Sequence, residues 1–362
     1  MIEKLLKERD LPSILPREEM KKLLLDNEYG YLPEVPYEVS VSKPTSIEKR
    51  YLCYTGEHST VEMTVSSEYG SHTFTVNRLL YHDNELHPLV VFMNFSPNVP
   101  DKYFPLEEIA DRGFAVLSFC YKDVTSDDGD FTNGLCKVLL PNGQEREDTA
   151  GKIRVWSFAA SRLLDYAETL SGLDLSQAAI LGHSRLGKTA LVTGMCDERF
   201  RYVLSNNSGC SGAALHRGNI GFLEKRGPLN LNTGETLRAI TTVFPHWFAR
   251  KYQSFAEANL PEGFDQHFLL GSIAPRFVFV TSSQMDEWAD PDSEFLCCCA
   301  ASPAYTRLGR VGFCHKNKMP EIDERYMDGR IGYRRRAGMH FLSRHDWAVF
   351  LDFIRHHEKD TL

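Results

Sequence analysis

Little in this chain points to nucleic acid or to a membrane. Its 41 Lys and Arg are outnumbered by 49 Asp and Glu, for a formal net charge of −8. A basic, phosphate-binding footprint is therefore not expected, and the acidity reads as solubility. No run approaches the roughly twenty apolar residues that a spanning helix needs. Paired Cys-x-x-Cys motifs are missing, which removes a zinc ribbon, and no calcium or nucleotide motif occurs. Neither a cofactor nor a metal is expected. The nine cysteines (53, 120, 136, 196, 210, 297, 298, 299 and 314) are odd in number and irregularly spaced. Three adjacent thiols fit an oxidising compartment badly. Most lie in apolar runs and read as small buried hydrophobes in a reducing compartment. The first ten residues, Met-Ile-Glu-Lys-Leu-Leu-Lys-Glu-Arg-Asp, contain no uninterrupted apolar core of a secretory signal. The expected location is cytoplasmic, or secreted if a signal has been removed.

What is present is ordinary globular composition, with 42% hydrophobic and 25% charged residues over 362 positions. Residues 1–36 read as a helical and loop-like lead segment packed on the rest. From Tyr37 the pattern alternates apolar and polar, as in Tyr37-Glu-Val-Ser-Val-Ser, Ser59-Thr-Val-Glu-Met-Thr-Val and Phe74-Thr-Val-Asn-Arg-Leu-Leu-Tyr. These are half-buried antiparallel strands. Short apolar strands then alternate with helices. The strands begin at Leu89, Phe114, Ala178 and Arg276, and the helices lie at 106–113, 152–170 and 346–354. Such alternation implies a mostly parallel sheet covered on both faces. The stretch 121–148, rich in Asp and Gly, reads as a long surface loop. Residues 37–362 are thus expected to form a single α/β domain.

Ser184 follows one of these strands and opens a helix, in Gly182-His-Ser184-Arg185-Leu-Gly187-Lys188. A strand-to-helix corner lifts a serine hydroxyl above the sheet edge and sets it at the positive end of the helix dipole. The second glycine comes one residue later than in the general hydrolase pattern Gly-x-Ser-x-Gly. On the corner alone, a nucleophile and a plain helix N-cap serine stand level. A base and an acid further along tip the balance. Asp286 follows the strand at 276–283, and His340 precedes the last helix, giving the order Ser, Asp, His used by α/β-hydrolases. Glu287 is a second candidate for the acid. His246, His267 and His315 are scattered and read as structural.

Several motifs together resemble the glucuronoyl esterases, carbohydrate esterase family fifteen. They are the Ser184 run, Ser205-Asn-Asn207-Ser-Gly-Cys-Ser-Gly-Ala-Ala-Leu215, Gly234-Glu235-Thr236, Phe244-Pro-His-Trp-Phe248, Trp288-Ala-Asp-Pro291 and Gly338-Met-His340. The resemblance runs from about residue 85 to 355. It implies an α/β-hydrolase three-layer sandwich acting on esters of the glucuronic acid carboxylate. The ligand is then a small-molecule or oligosaccharide uronate ester. The resemblance also implies roles: Ser184 as nucleophile, His340 as base, and Arg185 with its guanidinium on the oxyanion. Lys188 would bond sugar hydroxyls, while Glu235 and Trp288 would hold the uronate ring. Many relatives carry a catalytic glutamate at the position of Asn207. Asparagine cannot balance an imidazolium, so Asn207 would orient at most and Asp286 takes the acid's role. An insertion near 217–232 is a second departure. The alternatives are a carbohydrate deacetylase, which needs the same triad, and a non-catalytic carbohydrate-binding homologue, favoured only by Asn207.

Overall fold

Apolar side chains on successive residues of a strand point to opposite faces of its sheet. The run Leu89-Val-Val-Phe-Met therefore needs a core on each side, and the computed structural model supplies two. Leu89, Val91 and Met93 enter one core, and Val90 and Phe92 enter the other. The same division repeats in the neighbouring strands. Ile180, Val203, Val278 and Val280 lie on the first face, and Leu181, Tyr202, Phe277 and Phe279 on the second. The structure describes residues 1–47, 52, 56–218 and 234–361. The insertion expected near 217–232 lies outside these, apart from Arg217 and Gly218.

The strands are β1 (Tyr37–Val41), β2 (Thr45–Ser46), β3 (Gly56–Ser67), β4 (Gly70–Tyr81), β5 (His87–Asn94), β6 (Ala115–Cys120), β7 (Leu173–His183), β8 (Tyr202–Asn206), β9 (Phe277–Ser283), β10 (Arg325–Tyr326) and β11 (Ile331–Arg336). They form one sheet in the order β1-β3-β4-β6-β5-β7-β8-β9-β11-β10, with β2 beside β3. From β6 to β11 every pairing is parallel, while β1 to β4 and β10 run antiparallel to their neighbours. Helices Lys152–Ala167, Arg185–Cys196 and Pro291–Thr306 bury their apolar faces in the first core. Leu106–Ala110 and Arg344–His356 cover the second. This is the three-layer α/β-hydrolase sandwich, with antiparallel strands leading in.

Residues 1–36 contain helices Ile2–Glu8 and Arg17–Leu24. Ile2, Met20, Leu24 and Tyr29 join the first core. One expectation is corrected. The stretch 121–148 is not a surface loop: it holds helices Tyr121–Val124 and Gly134–Leu139, with Val124, Leu135, Cys136 and Val138 wholly buried. Its Asp and Gly residues form turns between apolar anchors. The eight cysteines among the described residues are unpaired, and all but Cys196 and Cys314 are buried.

Candidate active site

In open parallel sheets, ligands bind beyond the carboxyl ends of the strands. Here four neighbouring strands each deliver a residue to one place. Ser184 follows β7, Asn207 follows β8, Asp286 follows β9 and His340 follows β11. With Arg185, Lys188, Glu235, Phe244, Trp247 and Trp288 they line a cavity of ≈ 330 Å³. That is the size of a small-ligand site.

The serine corner is strained. Ser184 has φ 58° and ψ −127°, a region that side-chain-bearing residues rarely occupy. Its N–H donates to Asn206 O at 2.8 Å, tying the corner to β8. Gly182 permits the turn, because a Cβ there would lie 1.9 Å from Leu186 O. Gly187, one place later than the general pattern, lies against Ser208 and Ser205, where a Cβ would sit 3.1 Å from each.

His340 Nδ1 meets Asp286 Oδ2 at 2.5 Å. Asp286 is 5% exposed, while the His340 side chain is 41% exposed. A buried carboxylate thus grips a ring whose other edge is open. Asp286 is the residue that meets the imidazole, and Glu287 is exposed. Among the described residues Ser184 Oγ makes no hydrogen bond, and it shares the cavity with the imidazole. Behind His340, at a ring-centroid distance of 4.5 Å, lies His183. Burial, with the charge of His340, pushes its imidazole down to about 3. His183 is neutral beside the base, and its Nδ1 bonds Asn206 Oδ1 at 2.6 Å.

Asn207 is turned away from acid–base work. Its Nδ2 donates to Ser283 Oγ at 2.8 Å, which joins the loops after β8 and β9. Lys188 is 4% exposed, and its ammonium donates to the carbonyls of Ser208 and Cys210 at 2.5 and 2.6 Å. Glu235 Oε2 lies 3.9 Å from it. The lysine thus secures the loop after β8 and borders the cavity as well. Trp288 is 44% exposed on the rim.

The sequence profile described as "Glucuronyl esterase, fungi" matches residues 62–309, more than half of the chain. The chain belongs to the glucuronoyl esterase family. This is a family of carboxylic ester hydrolases. Carbohydrate esterase MZ0003, from an unknown prokaryotic organism, is 36% identical over 254 residues, 70% of this chain and 55% of that protein. The 4-O-methyl-glucuronoyl methylesterase of Podospora anserina is 27% identical over 300 residues, 81% of this chain and 56% of that protein. The chain therefore spans little more than half the length of these curated relatives. Among solved structures, a promiscuous CE15 esterase from a marine bacterial metagenome superposes with a TM-score of 0.82 at 28% identity, covering 94% of this chain and 91% of that one. The glucuronoyl esterase of Solibacter usitatus gives 0.82 at 25% identity, covering 95% and 97%.

Four residues at or behind this family member's site were missed in the sequence. Asp127, from the stretch read as surface, is an ion-pair partner of Arg185 and accepts from Trp247 Nε1 at 2.7 Å and Tyr121 OH at 3.0 Å. Burial pushes its carboxyl up, but His246, the Arg185 charge and these bonds outweigh burial and hold it well below the usual carboxylate range. His246 lies 3.3 Å from the same carboxylate, so it packs behind the wall of the site. Glu294, wholly buried, accepts from Gly209 N at 2.9 Å and Ser282 Oγ at 2.5 Å, again joining the loops after β8 and β9. Trp247 sat in a quoted motif without a role. Asp127 and Glu294 are single acidic residues in acidic surroundings, and nothing local marks them. Glu235 and Glu294 share a further property. Burial, only partly offset by Lys188 and by hydrogen bonds, pushes both carboxyls up to about 7.

Proposed function

We propose that this chain is a serine esterase that hydrolyses esters of the glucuronic acid carboxylate. The observation that carries the reading is the Asp286–His340 pair and the strained Ser184 meeting on one cavity that also holds Arg185, Lys188, Glu235 and Trp288. His340 takes the proton of Ser184 as Oγ attacks the ester carbonyl. Asp286 holds the ring tautomer with Nδ1–H and stabilises the imidazolium. Arg185 supplies positive charge to the oxyanion. Collapse returns the proton to the departing alcohol and leaves a glucuronoyl ester on Ser184. Water, deprotonated by His340, then releases glucuronate and regenerates the serine.

The uronate assignment rests on the rest of the wall. Two cationic side chains border the cavity, as suits a carboxylate-derived group. Glu235 offers an acceptor for ring hydroxyls, and an aromatic side chain such as Trp288 on the rim suits the apolar side of a pyranose. A relative of the same fold has been solved in complex with methyl 4-O-methyl-β-D-glucopyranuronate. The test is a panel of methyl glucuronate, methyl galacturonate and acetylated xylose. Turnover should be greatest on methyl glucuronate. Faster release of acetate from the xylose ester would assign the chain to the deacetylases. No turnover of any ester would assign it to non-catalytic binding.

A further inference from the structure

Asp127 performs no step in the chemistry above, yet it is densely bonded. Arg185 Nη1 donates to its Oδ2, Tyr121 OH to the same oxygen, and Trp247 Nε1 to Oδ1. The guanidinium carbon of Arg185 also sits 4.8 Å from the Trp247 ring centroid and 5.6 Å from that of Phe244. The Phe95 and Tyr121 ring centroids are each 6.0 Å away, so one ion pair and a surround of aromatic rings hold the guanidinium. Its Nε is buried without a protein hydrogen-bond partner. The arrangement fixes Arg185 and leaves it a donor uncommitted.

The loop on either side of Asp127 is held by a lysine from another element. Lys152, the first residue of helix Lys152–Ala167, has no exposed surface. Its Nζ donates to Ser126 O at 2.6 Å, Asp130 O at 2.7 Å and Ser126 Oγ at 2.9 Å, and lies 3.3 Å from Asp128 Oδ1. The Phe131 ring centroid is 5.2 Å away. Backbone and side-chain oxygens converging from one short loop are how a protein wraps a small cation. Here the cation is tethered to the chain. A positive charge at the first turn opposes the helix dipole, so the loop oxygens are what stabilise it there. Asp127 lies between the residues that hold the ammonium. The helix start is fixed in turn, since a Cβ on Gly151 would sit 2.2 Å from Trp247 O.

We propose that Lys152 acts as a built-in cation that folds the 126–130 loop and, through Asp127, sets the guanidinium of Arg185. Lys152 and Asp127 are thus positioning residues for the esterase reaction. The inference rests on the role given to Arg185 under Proposed function. It has a signature that structural support alone lacks: both residues act through Arg185, so their effects vanish once Arg185 is gone.

The experiment is steady-state kinetics of Lys152→Met, Asp127→Asn and Arg185→Ala, singly and in pairs, with thermal unfolding of each. Two substrates are used: methyl glucuronate and p-nitrophenyl acetate, which reads the same serine without the sugar. Lys152→Met and Asp127→Asn should each lower kcat by about 10- to 100-fold with little change in KM, as small misplacements of a catalytic group do. In the Arg185→Ala background neither should lower kcat further. Additive losses in that background, or folded single variants with unchanged kcat, would overturn the proposal. Should Lys152→Met not fold, Ser126→Ala removes one oxygen from the ammonium and must show the same non-additivity on a smaller scale. A wild type active only on p-nitrophenyl acetate would defeat the substrate assignment, while the pairs still decide the role of Lys152. A wild type inactive on both esters would defeat both.

Discussion

In the proposed mechanism Asp286 has a job that few residues could do. It must be charged, buried enough to be undiluted by water, and fixed against one imidazole nitrogen. The structure shows the burial and the contact, with its side chain 4% exposed and Oδ2 at 2.5 Å from His340. Asp286→Asn keeps the shape but favours the wrong tautomer, so turnover of methyl glucuronate should fall by about 10⁴-fold with the fold intact. A loss of less than about tenfold in kinetic assays would remove Asp286 from the triad. The three residues proposed as the triad could be picked out in the sequence because they follow strands in a fixed order. Asp127 was not legible. Its significance comes from Arg185, 58 residues away in the chain, and no local pattern announces a contact of that separation.

At the scale of elements, the loop that carries His340 depends on an arginine. Arg336, at the end of β11, donates to the carbonyls of Ala337, Met339 and Phe341, and its Nε bonds both oxygens of Asp346. Asp346 is wholly buried and closes the capping box of helix Arg344–His356 with Ser343. Arg336→Ala would strand a buried carboxylate, with the bonds from Ser343 and, as its cationic partner, the longer contact from Arg334 at 3.4 Å left to it. The expected outcome is a loss of about 3–5 kcal/mol in denaturant unfolding, together with a fall in kcat. Unchanged activity in the folded variant would show that the loop stands without its anchor. The same element explains a gap in the sequence reading. β11 reads Ile-Gly-Tyr-Arg-Arg-Arg, and three consecutive arginines suggest a solvated surface run. Arg334 and Arg336 are buried, through ion pairs with Asp323 and Asp346 that only tertiary structure supplies. β5, β6, β7 and β9, built of apolar residues, were evident.

For the whole molecule, the lead segment is joined to the site's scaffold by buried polar contacts. Glu28 is wholly buried and accepts from Gln266 Nε2 at 2.8 and 3.1 Å. Burial, opposed by the bond to Gln266, pushes its carboxyl up from 4.5 to about 7. The folded state then holds a proton that the unfolded state has released, so this group lowers stability as pH rises from about 4.5 to about 7. Glu235 and Glu294 act in the same direction. His183 and His216 oppose them. Burial pushes their imidazoles down to about 3 and about 4, so stability rises with pH from those values toward the ordinary 6.5. Glu28→Gln removes one member of the first group alone. Its Tm minus that of wild type should increase steadily between about pH 4.5 and 7 in thermal unfolding. A flat or falling difference would show that Glu28 is charged in the native core.

The central claim is that Ser184 is acylated by a glucuronate ester. Rapid-quench mass spectrometry of the wild type mixed with methyl glucuronate tests it most directly. A glucuronoyl adduct should map to the peptide carrying Ser184, and both adduct and turnover should be absent in Ser184→Ala. An adduct on another residue, or turnover that persists in Ser184→Ala, would contradict it.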